Sequence, residues 1–98
     1  MKKFRKFHIV VSSEVFYLIS YLFEENEILK KYSYYLHDNN VKDIHYHIYV
    51  EFYNYQNIEF VIDYFFQDIL DDDISSVYLC KIYGLTCSFD DFISYCVH

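Results

Sequence analysis

Polar and apolar positions alternate most strictly over Ile44–Tyr53, where Tyr46, Ile48, Val50 and Phe52 oppose His45, His47, Tyr49, Glu51 and Tyr53. Successive side chains of an extended chain point to opposite faces, so this stretch predicts a strand with one buried face. Lys6–Val11 alternates in the same way, with Phe7, Ile9 and Val11 against Lys6, His8 and Val10. A third alternating run, Lys31–His37, sets Tyr32, Tyr34 and Leu36 against Ser33, Tyr35 and His37, and Ser76–Ile82 reads as a fourth strand. Between them the period changes. Val15, Leu18, Ile19, Leu22 and Phe23 recur at helical spacing and predict a helix over Glu14–Leu29, capped by Ser12 or Ser13. Ile58, Val61, Ile62, Phe65, Phe66 and Ile69 form the clearest amphipathic stripe, with Asn54 or Asn57 as its start and Asp71–Asp73 as its end. Gly84 marks a turn, and Ser88 opens a last helix buried through Phe89, Phe92, Ile93 and Cys96.

The order β-α-β-β-α-β-α predicts an α+β fold. Its first six elements match the ferredoxin-like, split βαβ arrangement, an antiparallel sheet with helices on one face. The other face is then open, and His45 and His47 point into it. The 98 residues allow one small domain, 1–98. A chain 54% hydrophobic and 23% aromatic is not disordered despite its net charge of −7. No run of about 18 apolar residues is present, which excludes a transmembrane helix. Arg5, Lys6 and His8 interrupt any signal-peptide core, so the chain reads as cytoplasmic. Cys80, Cys87 and Cys96 have no CxxC spacing and are expected as free thiols. The acidic balance speaks against binding nucleic acid through bulk charge.

The chemistry concentrates on the open face. His45 and His47 stand two residues apart, roughly 6.5–7 Å along a strand, near enough for both rings to reach one ion. Two histidines at this spacing also occur on ordinary solvated strands. His37 ends the preceding strand on the same parity, and a hairpin through Asp38-Asn39-Asn40 would bring it beside them. Three imidazoles with open coordination positions describe a catalytic metal site. Asp38, Asn40 and Glu51 are candidate oxygen ligands, which favour Mn²⁺ or Mg²⁺. In the last helix Tyr95 lies roughly 120° from the centre of the apolar stripe at 100° per residue.

Leu36-His37-Asp38-Asn39-Asn40, the strand His45-Tyr46-His47-Ile48-Tyr49-Val50 and the late Tyr95-Cys96-Val97-His98 together resemble the HUH endonuclease superfamily. The closest likeness is to the initiators of rolling-circle plasmid replication, with Phe7-His8-Ile9-Val10-Val11 in the place of the first strand motif. The resemblance implies that His37, His45 and His47 bind a divalent cation. Asn40 falls where the family has an aspartate ligand; Asn40 or Asp38 completes the site. It implies that Tyr95 is the nucleophile toward single-stranded DNA at a replication origin hairpin or nick site, leaving a 5′-phosphotyrosine bond and a free 3′-OH that permits rejoining. His98 falls where relatives carry a His or Lys that assists at the phosphate. Lys6, His8, Tyr49 and Lys81 are the expected nucleic-acid contacts, with Tyr35, Tyr49 or Tyr53 as stacking surfaces. The chain stops at the last residue of the tyrosine motif. It is therefore expected either as the nuclease domain of a longer initiator, with any oligomerisation region outside this chain, or as a miniature form. The alternative expectation is a non-catalytic relative that binds single-stranded nucleic acid or a protein, such as an acidic inhibitor.

Overall fold

The computed structural model describes residues 2–24, 27–37, 44–70 and 80–96, excluding the side chains of residues 37, 67–70, 80, 95 and 96. Strands β1 (Phe4–Ser12), β2 (Leu29–His37), β3 (His45–Gln56) and β4 (Cys80–Leu85) form one sheet in the order β2-β3-β1-β4. Every neighbouring pair is antiparallel. The helices are α1 (Ser13–Ile19), α2 (Tyr21–Glu24), α3 (Ile58–Leu70) and α4 (Phe89–Cys96). This is the α+β, split βαβ order that the alternating and helical periods predict.

Hydrophobic rows from both central strands build the core. Phe7, Ile9 and Val11 of β1 lie beside Val50, Ile48 and Tyr46 of β3 in register. They meet Val15, Phe16 and Ile19 of α1, Phe23 of α2, and Val61, Phe65 and Phe66 of α3. Phe16 lies flat on Tyr46, with ring centroids 3.8 Å apart and planes 9° from parallel. The caps fall at the expected residues. Ser12 Oγ accepts from Val15 N at 3.4 Å, Asn57 Oδ1 from Phe60 N at 2.7 Å, and Ser88 Oγ from Asp91 N at 3.2 Å.

Three boundaries depart from the sequence reading. The helix expected over Glu14–Leu29 is two short helices ending at Glu24, and Leu29 already begins β2. At the joint, Ser20 Oγ bonds back to the Tyr17 carbonyl at 3.4 Å, a local bond that competes with the helical ladder. The fourth strand occupies Cys80–Leu85, and Gly84 sits within it rather than in a turn. A Cβ at Gly84 would run into the Phe4 ring, so the glycine makes room for that aromatic. The third departure is α4, which lies over the second face of the sheet. Phe92 and Phe89 pack there on Tyr49, on the face that also holds His8 and His47. The turn expected at Asp38–Asn40 lies outside the described residues, as do Asp71–Asp73 and Ser76–Leu79.

Candidate metal centre on the second sheet face

Strand register assembles the histidines. His37 and His45 are direct cross-strand partners of β2 and β3, as the expected hairpin requires. Partners of this kind have Cβ atoms about 4.5–5.5 Å apart and share a face. His47 stands two residues on, opposite Val10 of β1, and His8 lies diagonally from it on the same face. The rings meet in a chain. His8 Nε2 lies 2.7 Å from His47 Nδ1, and His47 Nε2 lies 3.2 Å from His45 Nε2.

The second distance bears directly on metal binding. Two imidazole nitrogens each about 2.1 Å from one ion, at angles from 90° to tetrahedral, are roughly 3.0–3.4 Å apart. The two Nε2 atoms at 3.2 Å therefore fit as neighbouring ligands of one divalent cation. His8 does not join them, because it meets the opposite nitrogen of the His47 ring. Among the described residues no three His, Cys, Asp or Glu side chains form a group that could hold an ion. A third ligand would come from His37, at the adjacent register position, or from Asp38 or Asn40. The His37 side chain, Asp38 and Asn40 lie outside the described residues.

His8 and His47 are both buried, each 7% exposed. Tyr83 lies 5.7 Å from the His8 ring and Phe92 meets it edge-on at 4.9 Å. Removal from water disfavours the imidazolium and lowers the His8 pKa to about 4. Beside His8, Leu85, Cys87, Asp91 and Phe92 line a shallow cleft.

Three expected contacts fall differently. Tyr49, expected as a nucleic-acid contact and stacking surface, is fully buried beneath Phe89 and Phe92. Its hydroxyl donates to Glu51 Oε1 at 2.6 Å. Burial, reinforced by that bond, holds the Tyr49 pKa well above the usual tyrosine value. His8, expected to touch nucleic acid, is instead a partner of His47 beneath the surface. Glu51, a candidate ligand, is taken up by Tyr49 and by Lys30 Nζ at 3.6 Å, four residues beyond His47. The Tyr49 bond pulls its pKa down against the opposing effect of burial, and Lys30 assists.

Lys6 is half-buried and donates to the Cys87 carbonyl at 2.9 Å, tying β1 to the segment before α4. Lys81 is exposed and opposite Val10, on the site face of an edge strand. Tyr53 is 58% exposed and Tyr35 lies half-buried opposite His47, so these two keep accessible ring surface. Tyr95 belongs to α4, one turn beyond the Phe92 that touches His8, and its side chain lies outside the described residues, as does His98. Cys87 is a free thiol, as expected; the Cys80 and Cys96 side chains are outside the description. Among the described residues no helix is long and apolar enough to cross a membrane.

Burial of His8 against His47 had a sequence signal that the motif reading passed over. His8 has the same parity as Lys6 and Val10, and the split βαβ order places β1 beside β3. No protein-family model, curated protein or solved structure matches the chain.

Proposed function

We propose that this chain is an HUH-type replication-initiator domain that nicks and rejoins single-stranded DNA at an origin hairpin or nick site. The observation that carries the reading is the 3.2 Å approach of His45 Nε2 to His47 Nε2, with His37 in register beside His45. His37, His45 and His47 would hold Mn²⁺ or Mg²⁺, with Asn40 or Asp38 completing the set. The bound cation would polarise the scissile phosphate as a Lewis acid.

The chain's own residues supply the rest. Phe92 and Phe89 hold α4 against the face that carries the histidines, which sets Tyr95 on the helix over that face. Tyr95 Oη forms a bond to phosphorus as the P–O3′ bond breaks. The tyrosine proton passes to solvent or a nearby base, and the departing 3′ oxygen takes one up. The phosphotyrosyl bond keeps the energy of the broken diester, so the 3′-OH can reverse the step. Lys81 would take up backbone charge, and the accessible rings of Tyr35 and Tyr53 would stack on bases.

The test is a covalent adduct on a denaturing gel after incubation with Mn²⁺ and labelled single-stranded oligonucleotides. The wild type should form it, and Tyr95→Phe should not. An equal yield from Tyr95→Phe removes the assigned nucleophile. The net charge of −7 and Asn40 in place of the family's aspartate favour a second reading, a non-catalytic domain that binds single strands or a protein. Oligonucleotide or protein binding with no adduct over diverse hairpin sequences would select it.

A further inference from the structure

The contact between His8 and His47 has no part in the chemistry described above, yet at 2.7 Å it is closer than the 3.2 Å approach of His45 to His47. We infer that His8 is the positioning residue of the metal site: its Nε2 accepts the Nδ1–H of His47 and so fixes the ring of that ligand. The inference rests on the functional reading, because it assumes that His47 Nε2 is a ligand.

The argument is one of proton count. Each nitrogen pair in the chain His8–His47–His45 can share one proton. For His45 Nε2 and His47 Nε2 to ligate one ion, both must be bare. His47 then carries its proton on Nδ1, and the group 2.7 Å away, His8 Nε2, must accept it. His8 is consequently neutral and protonated on Nδ1. The opposite tautomer, with His8 donating, would put the His47 proton on Nε2 and block the ligand. Ligating imidazoles generally need such an acceptor on the second nitrogen, and it is most often a carboxylate, backbone carbonyl or water. A neutral imidazole in that place adds no negative charge behind the ligand.

The structure keeps His8 where this role needs it. It lies on a central strand, between β3 and β4, with Tyr49 and Tyr83 as its cross-strand partners. Phe92 closes over its ring. The same Phe92 anchors α4, so the support of the metal ligand and the seat of the nucleophile's helix share one residue.

The experiment is a Mn²⁺ titration of the metal-free protein, followed by the spin-resonance signal of free ion, for wild type, His8→Phe and His8→Gln. Phe fills the space without an acceptor, whereas the Gln carbonyl can accept. His8→Phe should bind Mn²⁺ 10- to 100-fold more weakly, and His8→Gln should stay within about threefold of wild type, the rescue that a packing role would not produce. With Zn²⁺ bound, nitrogen NMR of the wild type should show the His47 proton on Nδ1. Unchanged affinity in His8→Phe, an equal loss in both variants, or a bare His47 Nδ1 in the Zn²⁺ form overturns the inference. A wild type that binds no divalent ion overturns the metal reading itself, and this role for His8 falls with it.

Discussion

Truncating Phe92 should separate the docking of α4 from the stability of the sheet. Phe92 is 2% exposed, and its ring centroid lies 4.9 Å from that of His8, 5.4 Å from Tyr49 and 6.3 Å from Tyr35, all on the same sheet face. Removing a buried Phe side chain costs about 3–5 kcal/mol, roughly two to nearly four powers of ten in the docking equilibrium. One aromatic anchor, Phe89, would remain, held by Tyr49 at 4.8 Å and by Lys31 Nζ at 3.5 Å over its face. A helix of 8 residues has no independent stability in water, so an undocked α4 unravels. The main core, built from α1, α2 and α3 on the opposite face, shares no residue with this cluster. Phe92→Ala should therefore leave the far-ultraviolet spectrum and the slowest β1 and β3 amides close to wild type. Amides of α4 should lose protection by about two powers of ten, and Mn²⁺-dependent adduct formation should fall with them. Hydrogen exchange read by mass spectrometry resolves the two regions. If α4, β1 and β3 amides lose protection together, the helix is part of one cooperative core and the argument fails.

The buried His8 should make stability fall in mild acid. Its folded pKa of about 4 lies below the ordinary 6.5, so its contribution is complete above pH 6.5 and is lost as pH falls toward 4. The size is up to about 3 kcal/mol, and urea titrations at pH 7 and pH 4.5 should show a shallower loss in His8→Phe than in wild type. Tyr49→Phe removes the donor to Glu51 and should cost about 1.5–3 kcal/mol at pH 7. Glu51's depressed pKa means its contribution is present above about pH 4.5 and lost as pH falls below it, so the gap between variant and wild type should narrow near pH 3. Equal gaps at pH 7 and pH 3 would dissociate the bond from the charge. Gly84→Ala should destabilise by about 1–3 kcal/mol through collision with Phe4. A Phe4→Ala background should remove most of that cost in a double-mutant cycle; additive effects would show that the collision is not the cause.

The strands and α3 were legible because each has one face in a dry core, and burial imposes a strict period. Ile48, Val50 and Phe52 are fully buried, as are Phe7, Ile9 and Val11, and none could change parity without exposing a row of apolar side chains. The reading went wrong where a local preference outweighed the period. Leu22 and Phe23 continue a helical spacing that Leu29 extends on paper, but Ser20 bonds back to the Tyr17 carbonyl at the joint, and Leu29 pairs with Phe52 instead. Gly84 suggested a turn because glycine does so in general. Here its missing side chain serves the Phe4 ring across the sheet, a long-range cause that no local pattern carries.

The site was legible as a pattern of histidines and not as a surface. Alternation put His45, His47, Tyr49 and Glu51 on one face, and parity extended this to His37 and His8. Alternation cannot say what covers a face, and the last helix decides it. By packing Phe89 and Phe92 on Tyr49, α4 turns an expected stacking ring into core and leaves its hydroxyl to Glu51. By closing over His8, it buries an expected nucleic-acid contact beside its hydrogen-bond partner His47. Those two reassignments have one physical origin: an aromatic stripe long enough to bury a helix on the sheet must take sheet area that would otherwise meet solvent. The part of the face that α4 leaves uncovered, among the described residues, is then the end with the histidines, together with Tyr35 and the Lys81 edge. A nuclease with net charge −7 would meet its substrate there, over a small area, rather than along a basic groove. Binding of this kind depends weakly on salt, because few phosphates are neutralised by lysine or arginine. If the reading holds, single-strand affinity measured at about 50 and 200 mM salt should change by less than tenfold, and a steeper dependence would show that the strand also engages the basic N-terminal residues Lys2, Lys3 and Arg5.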